Sequence, residues 1–241
     1  MYYFFYFCIL AFAFNLPGEE KGFERPLISI TFDDEWVSIY KNGLPILNAY
    51  GYPATFYIHT FAIGRPSYMT EEMIRDLHQS GFEIGSATVT HPYLSTLPLD
   101  VVEKELVESK NRLRELIGVD PRNFAVTFGD FSQEVIALIK KYYRSNRTTI
   151  PGFNIPGNFN PYLILAEEID NSTSMELLEM KMDWAQKNHA WLVLLYHRVD
   201  TEESTTSISP DLFNEQMGMI RKRDMTVLTV DKALDEIMGQ L

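Results

Sequence analysis

The sequence predicts an α/β fold in a single domain, built on a parallel sheet that is either doubly wound or closed as a barrel. Seven or so short apolar runs, rich in β-branched and aromatic residues, alternate with segments of helical periodicity. A strand that is followed each time by a helix favours parallel pairing. The 241 residues are enough for one domain with a full core, and no linker divides them.

The predicted elements follow one another along the chain. Strands are predicted over 26–32, 54–60, 82–87, 123–128, 162–167, 191–197 and 226–230, with a weaker one around 147–149. Helices are predicted over about 36–50, 70–80, 98–118, 132–143, 174–189, 210–223 and 231–238. Several helices have start signals, such as Thr70 before two glutamates and Asp231 at the head of the last helix.

Composition excludes some classes of function. A formal net charge of −12 argues against a nucleic-acid partner, because phosphate binding needs a clustered basic face. A single cysteine, Cys8, excludes an intramolecular disulfide and a cysteine-based metal cluster.

The N-terminal segment 1–22 differs in composition from the predicted domain over 23–241. Residues 2–16 are apolar and aromatic, a length that suits the core of a signal peptide and falls short of the roughly 20 residues of a spanning helix. We therefore expect no stable membrane span. Signal peptides usually open with a basic residue, whereas here the first one is Lys21. The segment is either a signal or truncated anchor, or an extension packed on the domain; the first alternative predicts a secreted or cell-surface protein.

Polar side chains gather at the carboxyl ends of the predicted strands. Asp33 and Asp34 follow the first strand, His59 ends the second, and His91 comes soon after the third. The fourth strand leads to Asp130 and the seventh to His197. In a parallel barrel these ends share one face, where chemistry takes place. Two adjacent carboxylates after a buried strand repel each other unless a cation or a proton is present, which favours a functional site.

Four motifs occur in order at these strand ends: ITFDD, GSATVTHPYLSTL, FAVTFGDF and LLYHRV. Together they resemble the polysaccharide deacetylases, the NodB-homology domain of carbohydrate esterase family 4, from about Pro26 to the C-terminus. The resemblance implies a distorted (β/α) barrel of about seven parallel strands. It also implies a metal-dependent hydrolase that removes acetyl groups from a glycan, either an N-acetylhexosamine polymer or acetylxylan.

The resemblance assigns roles to individual residues. Asp33 would be the general base, His197 the general acid, and the backbone N–H of Phe128 an oxyanion donor. Asp34 and His91 would bind a divalent metal, zinc first, with cobalt, nickel or manganese as alternatives. Separately, the candidate substrate-binding residues are Trp36, Gly129 and Asp130, with Trp36 placed just after the aspartate pair. Trp36 could equally make a plain hydrophobic contact.

The chain departs from the family pattern at two places. Ala87 stands where the first histidine of the metal-binding H-x-x-x-H pair belongs, so one ligand is lost. Thr127-Phe128-Gly129 replaces the usual Pro-Tyr-Gly. Three explanations of Ala87 stay open. It is an introduced substitution that silences an enzyme, the chain is a natural pseudoenzyme, or His59 replaces the lost ligand. We expect impaired activity; the alternatives are a catalytically dead carbohydrate-binding protein and an amidohydrolase acting on a small molecule.

The carboxylate partner of His197 is left open among Glu167, Glu168 and Asp170. An Asp-Trp pair often accompanies the family's fourth motif, but Asp183-Trp184 lies inside a predicted helix. We therefore predict Trp184 in the core and Asp183 on the surface. Two further histidines, His78 and His189, are predicted to be structural or solvated.

Overall fold

The computed structural model describes residues 22–201 and 204–241, so the predictions made for 1–21 lie outside it. The strands are β1 Leu27–Asp33, β2 Thr55–Ile58, β3 Glu83–Ser86, β4 Asn123–Ala125, β5 Ser145–Arg147, β6 Glu167–Glu168, β7 Trp191–Tyr196, β8 Arg198–Val199, β9 Ser207–Ile208 and β10 Thr226–Val227. The α-helices are α1 Leu44–Tyr50, α2 Glu71–Gln79, α3 Leu99–Ile117, α4 Gln133–Tyr142, α5 Met175–Lys187, α6 Pro210–Arg221 and α7 Val230–Ile237. A π-helical turn, Ile39–Gly43, precedes α1.

The sheet confirms the predicted barrel. Its strand order is β5-β4-β3-β2-β1-β7-β6, with β10 also paired to β1, and each of these pairs is parallel. Hydrogen bonds from Thr148 N–H to Ile164 O and from Ala166 N–H to Ile150 O join the β5 edge to the segment that leads into β6. The sheet therefore curls into a distorted barrel.

The predicted helix 36–50 is in fact the π-helical turn Ile39–Gly43 followed by α1, whereas the other helices agree closely with their predictions. The strands after β4 agree less well. The weak strand near 147–149 is a true strand, β5, displaced toward the N-terminus. The predicted strand 162–167 is reduced to the two residues of β6. Part of that segment pairs with a side chain, because Leu165 N–H donates to Asn154 Oδ1 at 3.0 Å. The short β8–β9 pair was not predicted.

Several helices begin at a capping side chain. Thr70, Ser132, Ser174, Ser209 and Thr229 each accept a hydrogen bond from a backbone N–H in the first turn of the helix that follows. Such caps satisfy donors that the helix itself leaves unpaired. The start predicted at Thr70 is confirmed, and the last helix begins one residue before the predicted Asp231.

Alternation along the strands sorts side chains between two faces of the sheet. Ile28, Ile30 and Phe32 of β1 belong to the large buried cluster that packs against the helices. Because the period of a strand is two residues, Thr31 and Asp33 point to the inner face. The same alternation places His59 and Ala87 on the inner face, since Ile58 and Ile84 belong to the outer cluster. None of the described helices combines the length and apolarity needed to cross a membrane.

Candidate active site

Asp33 ends β1 on the inner face and forms an ion pair with Arg147 of β5. The Arg147 side chain is completely buried, and its guanidinium also lies 5.1 Å from the ring centroid of Tyr57. A buried arginine needs a charged partner, so the two side chains depend on each other. Arg147 was not among the predicted site residues. One signal in the sequence could have identified it: Arg147 begins a predicted weak strand, and an arginine buried in a sheet needs a charged partner.

Small residues on the inner face make room for these two large side chains. Ala125 is the register partner of Arg147, and Ala87 and Ala125 contact Tyr57 in a small buried cluster. A Cβ atom added to Gly85 would come within 2.5 Å of the Tyr57 ring. Position 87, where the ligand is lost, is therefore also a packing position: the Ala87 methyl group contacts Tyr57 in this buried cluster.

Asp34 lies between two imidazoles. Its Oδ1 is 3.3 Å from His91 Nε2 and 3.5 Å from His59 Nδ1. Its Oδ2 accepts a hydrogen bond of 3.2 Å from the indole N–H of Trp36. Oδ1 is buried and has no hydrogen-bond partner within the described part of the chain. The structure thus brings together Asp34, His59 and His91, all three of which were singled out from the sequence.

Glu35 is a completely buried carboxylate that the sequence analysis missed. Its Oε2 accepts a hydrogen bond of 3.0 Å from the backbone N–H of His59 and lies 3.1 Å from His59 Nδ1. The latter contact is not aligned as a hydrogen bond. Glu35 follows Asp33 and Asp34 directly, so three consecutive carboxylates meet at this strand end. The only signal for Glu35 in the sequence was its place after the aspartate pair.

Burial and charge shift the proton affinities of this cluster. Burial raises the pKa of Glu35 above its usual value. Burial alone would lower the pKa of His59, but contact with Glu35 and the charges of Glu35 and Asp34 raise it overall. Burial lowers the pKa of His91, and the nearby Asp34 charge offsets this only partly. The lowered pKa favours the neutral form of the His91 imidazole.

Three site residues other than glycine have left-handed backbone conformations: Asp34 with φ 60°, His91 with φ 59° and Phe128 with φ 55°. Each costs on the order of 1–3 kcal/mol, and such strain is concentrated at functional sites. The surrounding structure therefore holds these three residues in a backbone conformation that each would avoid on its own.

The ligand set implied by the family does not fit this chain. Ala87 is buried and carries no donor atom, which leaves Asp34 and His91 of that set. Across residues 22–201 and 204–241, no three His, Cys, Asp or Glu side chains are arranged to hold a metal ion. We therefore assign no step of a reaction to a metal.

Phe128 forms an exposed aromatic wall beside His91. Its ring stacks on Tyr93 with centroids 4.2 Å apart and meets His91 edge-on at 4.5 Å. Gly129 follows with φ 65°, and a Cβ atom there would overlap the Thr149 hydroxyl. Asp130 accepts hydrogen bonds from the backbone and hydroxyl of Ser95 at 2.7 and 2.6 Å. Its carboxylate thus ties two loops of the site together.

His197 follows β7 and faces Glu168, with Nδ1 and Oε1 3.7 Å apart. The other two candidate partners are engaged elsewhere. Glu167 pairs with Lys181 at 2.7 Å, and Asp170 accepts from the backbone and hydroxyl of Ser172. The structure therefore selects Glu168 as the carboxylate closest to His197 of the three.

The Asp-Trp pair in α5 lies outside the site. Asp183 is on the surface, as predicted, where it pairs with Arg223 at 2.8 Å. The prediction of Trp184 in the core is wrong: the side chain is 41% exposed and stacks on Phe153 at 4.1 Å. Helical periodicity placed it on a buried face, but the loop that carries Phe153 covers that face only in part.

Trp36 has more contacts than either sequence alternative foresaw. Besides its hydrogen bond to Asp34, it stacks on Tyr68 at 4.5 Å, and the Arg198 guanidinium lies 4.7 Å from its ring centroid. His189 is far from these groups, and its Nδ1 lies 3.1 Å from the carbonyl oxygen of Phe23. That contact agrees with the structural role predicted for His189.

Comparisons with known proteins agree with this architecture. The sequence model of the polysaccharide deacetylase family matches residues 20–144. The peptidoglycan-N-acetylglucosamine deacetylase of Bacillus cereus is 30% identical over 99 residues, which are 41% of this chain and 42% of that protein. The chain spans about half or less of the length of the curated relatives that head the comparison.

Solved structures share the fold. The Streptococcus pyogenes deacetylase PplD, solved with acetate, superposes with a TM-score of 0.60 at 25% identity, covering 64% of this chain and 69% of that one. The CE4-family pseudoenzyme BA3943 of Bacillus anthracis superposes with a TM-score of 0.64 at 16% identity, covering 88% of this chain and 66% of the other. The latter likeness concerns the fold alone.

Proposed function

The chain belongs to the polysaccharide deacetylase family, and from that premise we propose that it is a hydrolase that removes acetyl groups from an acetylated glycan. The substrate class is an N-acetylhexosamine polymer or oligomer, or acetylxylan. Its relative in Bacillus cereus is a peptidoglycan-N-acetylglucosamine deacetylase, which supports the first of these classes. Acetylated polymers of this kind occur outside the cell, so we propose a secreted or cell-surface location.

The ion pair of Asp33 with the buried Arg147 is the observation that carries the proposal. A guanidinium stays protonated and holds a partner carboxylate by charge and by directed N–H donors. An ionised carboxylate can accept a proton from a water molecule that attacks the acetyl carbonyl. Asp33 would therefore act as the general base, with Arg147 holding it in place.

The remaining roles follow from the opposite side of the site. His197 would donate a proton to the departing amine or alcohol, with Glu168 near its other ring edge. The backbone N–H of Phe128 would stabilise the oxyanion, because the strained turn at this residue fixes the direction of the donor. These roles make the reaction a hydrolysis of an acetyl amide or ester.

We further propose that full activity requires a divalent metal, zinc first, and that Ala87 impairs it. The metal requirement rests on the family resemblance, while the absent donor at Ala87 and the incomplete ligand set support the impairment. The same observation supports a second candidate function, a carbohydrate-binding protein that retains the cleft without hydrolysing sugar. Amide hydrolysis of a small molecule has no separate support in the geometry of the site.

Acetate release from a panel of acetylated oligosaccharides, with added zinc or cobalt, tests the proposal. The chain should release acetate slowly from at least one substrate, and Ala87→His should raise the rate. Asp33→Asn is the matched control and should abolish release in both backgrounds. If neither the chain nor Ala87→His releases acetate while sugar still binds, the deacetylase proposal is wrong and the binding function takes its place.

A further inference from the structure

We propose that the chain has a second binding site, and that its ligand is a small molecule with an apolar body and one carboxylate. The site is a cavity at the amino-terminal ends of β2, β3 and β4, which we call the basal cavity. Because these strands are parallel to β1 and β7, the cavity lies at the opposite end of the barrel from Asp33 and His197. The inference goes beyond the proposed function and does not rest on it.

The basal cavity lies between three helices and the start of the sheet. Its walls come from the C-terminal end of α2, the C-terminal end of α3 with the loop that follows, and the first turn of α7. Its volume is about 310 Å³. Pockets that hold small molecules usually span about 300–1,000 Å³, so the cavity is large enough for a ligand at the small end of that range.

Most of the lining is apolar. Phe82 and Ile84 are buried, Ile117 and Leu228 are partly buried, and half of the Val119 side chain is exposed. Burial of apolar surface is the dominant favourable contribution to most association. The lining therefore favours a ligand whose apolar part covers these side chains.

The start of α7 already has an anion beside it, the carboxylate of Glu83. Its Oε2 accepts hydrogen bonds from the Asp231 backbone N–H and the Thr55 hydroxyl, each of 2.9 Å. Its Oε1 accepts one of 2.6 Å from the side-chain amide of Asn123. A helix N-terminus attracts negative charge, and here a side chain of the protein supplies that charge. The ligand therefore does not bind through the helix end.

Asp231 and Asp120, the other carboxylates that the described residues place on the lining, are paired as well. Asp231 accepts hydrogen bonds from Arg122 at 2.8 Å and from Arg144 at 2.9 Å. Asp120 Oδ1 lies 3.4 Å from Arg114 Nη1. Because its acidic side chains are engaged, the basal cavity does not favour an amine.

Donor groups on the lining, in contrast, have capacity left. Within residues 22–201 and 204–241, the His78 ring makes no hydrogen bond. The Lys232 ammonium is 3.9 Å from Asp235 Oδ2, which is beyond hydrogen-bonding distance. Arg122 has five N–H donors, and its bond to Asp231 uses one nitrogen, Nη1. A ligand carboxylate can accept charge-assisted hydrogen bonds from such donors.

The apolar lining and the unfilled donors together identify the class of ligand. Its apolar body would cover Phe82 and Val119, and its carboxylate would lie toward Arg122 and Lys232. These two side chains are 53% and 70% exposed, so the charged end would lie at the mouth of the cavity. Exposed charges attract each other weakly. We therefore expect the apolar contact to supply most of the affinity and the charge to set the preference among ligands.

Isothermal titration calorimetry of the full chain with octanoate, octanol and octylamine at pH 7 tests the inference. The three probes share one apolar chain and differ in the charge of the end group. Octanoate should bind saturably, with one molecule per chain, and more tightly than octanol. Octylamine should bind most weakly, because its ammonium would face Arg122 and Lys232.

Variants of the lining separate charge from apolar contact. Arg122→Met and Lys232→Met should each weaken octanoate binding by about two- to fivefold, as for exposed charge pairs, and leave octanol binding unchanged. Val119→Ser removes apolar surface at a half-exposed position, so it should weaken the binding of octanoate and octanol alike.

Lys104→Met is the matched control, since Lys104 is an exposed lysine of α3 that does not line the cavity. It should leave all three affinities unchanged. Circular dichroism and thermal unfolding establish that each variant folds. Arg122→Met leaves Asp231 paired with Arg144. If it nevertheless fails to fold, Lys232→Met provides the charge test.

The inference is overturned if octanoate shows no saturable binding, or if octanol or octylamine binds as tightly. It is overturned equally if the three lining variants bind octanoate like the wild type, because the probe then binds elsewhere on the protein. None of these measurements involves acetate release. Failure of the proposed function therefore leaves the basal cavity's assignment intact, and the reverse also holds.

Discussion

The guanidinium of Arg147 on β5 meets the carboxylate of Asp33 on β1 across the inner face of the sheet. Three strands separate β1 from β5 in the sheet order, so only the curl of the sheet brings the two residues together. Arg147 is completely buried, and the Asp33 side chain is 16% exposed. The ion pair thus connects two distant strands and also holds the proposed general base. Its loss should therefore lower both stability and activity.

Arg147→Met should lower the free energy of unfolding by about 3 kcal/mol, because it leaves the largely buried Asp33 carboxylate without its partner. Acetate release should fall as well. Urea unfolding measures the first effect. Arg25→Met is the matched control: Arg25 pairs with Glu236 on the surface, with a side chain 52% exposed, so the change should stay within about 1 kcal/mol. Equal losses in the two variants would contradict the importance given to the buried pair.

Trp36→Phe should reduce kcat for acetate release while the protein keeps most of its stability. Phenylalanine can still stack on Tyr68, but it cannot donate the hydrogen bond that Trp36 makes to Asp34 Oδ2. The lost bond should cost about 1 kcal/mol of unfolding free energy. Thermal unfolding and steady-state kinetics provide the measurements.

Trp184→Phe is the control for this change, since Trp184 of α5 stacks on Phe153 at the surface. It should leave the kinetics unchanged. If Trp36→Phe also has the kinetics of the wild type, the indole does not position Asp34.

Phe128→Ala should raise KM for an acetylated oligosaccharide and change kcat little. The ring is 52% exposed and forms a wall beside His91, whereas the proposed oxyanion donor is the backbone N–H. Loss of the stack on Tyr93 should cost about 0.5–1.5 kcal/mol of stability. Initial rates over a range of substrate concentrations separate the two constants. A fall in kcat with unchanged KM would contradict the separation of ring and backbone.

Glu236 should make the stability of the protein depend on pH in the acid range. Hydrogen bonds from Arg25 lower the pKa of Glu236 below its usual 4.5. A lowered pKa contributes stability that is present above pH 4.5 and is lost as the pH falls through the lowered value. Since the pair is exposed, the contribution should be at most about 1 kcal/mol.

Thermal unfolding of the wild type and Glu236→Gln between pH 3 and 7 measures this contribution. The wild type should be the more stable protein at pH 6, and the difference should shrink as the pH falls toward 3. Added salt at pH 6 should shrink the difference by screening. A difference that grows as the pH falls would reverse the assigned sign.

Local patterns in the sequence determined the order of the elements and the strand ends that carry the site. Strand alternation and helical periodicity act over a few residues, so they identified Asp33, Asp34, His59, His91 and His197. They gave the bounds of every predicted helix after the first to within two residues. The replacement of an expected histidine by Ala87 was equally visible, because a motif is contiguous.

Tertiary structure alone decided which residues meet. Arg147 reaches Asp33 through the curl of the sheet, and Glu35 reaches His59 through the packing of β1 on β2, neither of which any local pattern encodes. The exposure of Trp184 depended likewise on where a distant loop lies. The length of β6 was decided by Asn154, whose side chain replaces part of the expected ladder. Contacts between residues far apart in sequence are set by the closure of the whole sheet, and that closure is a property of all its strands together.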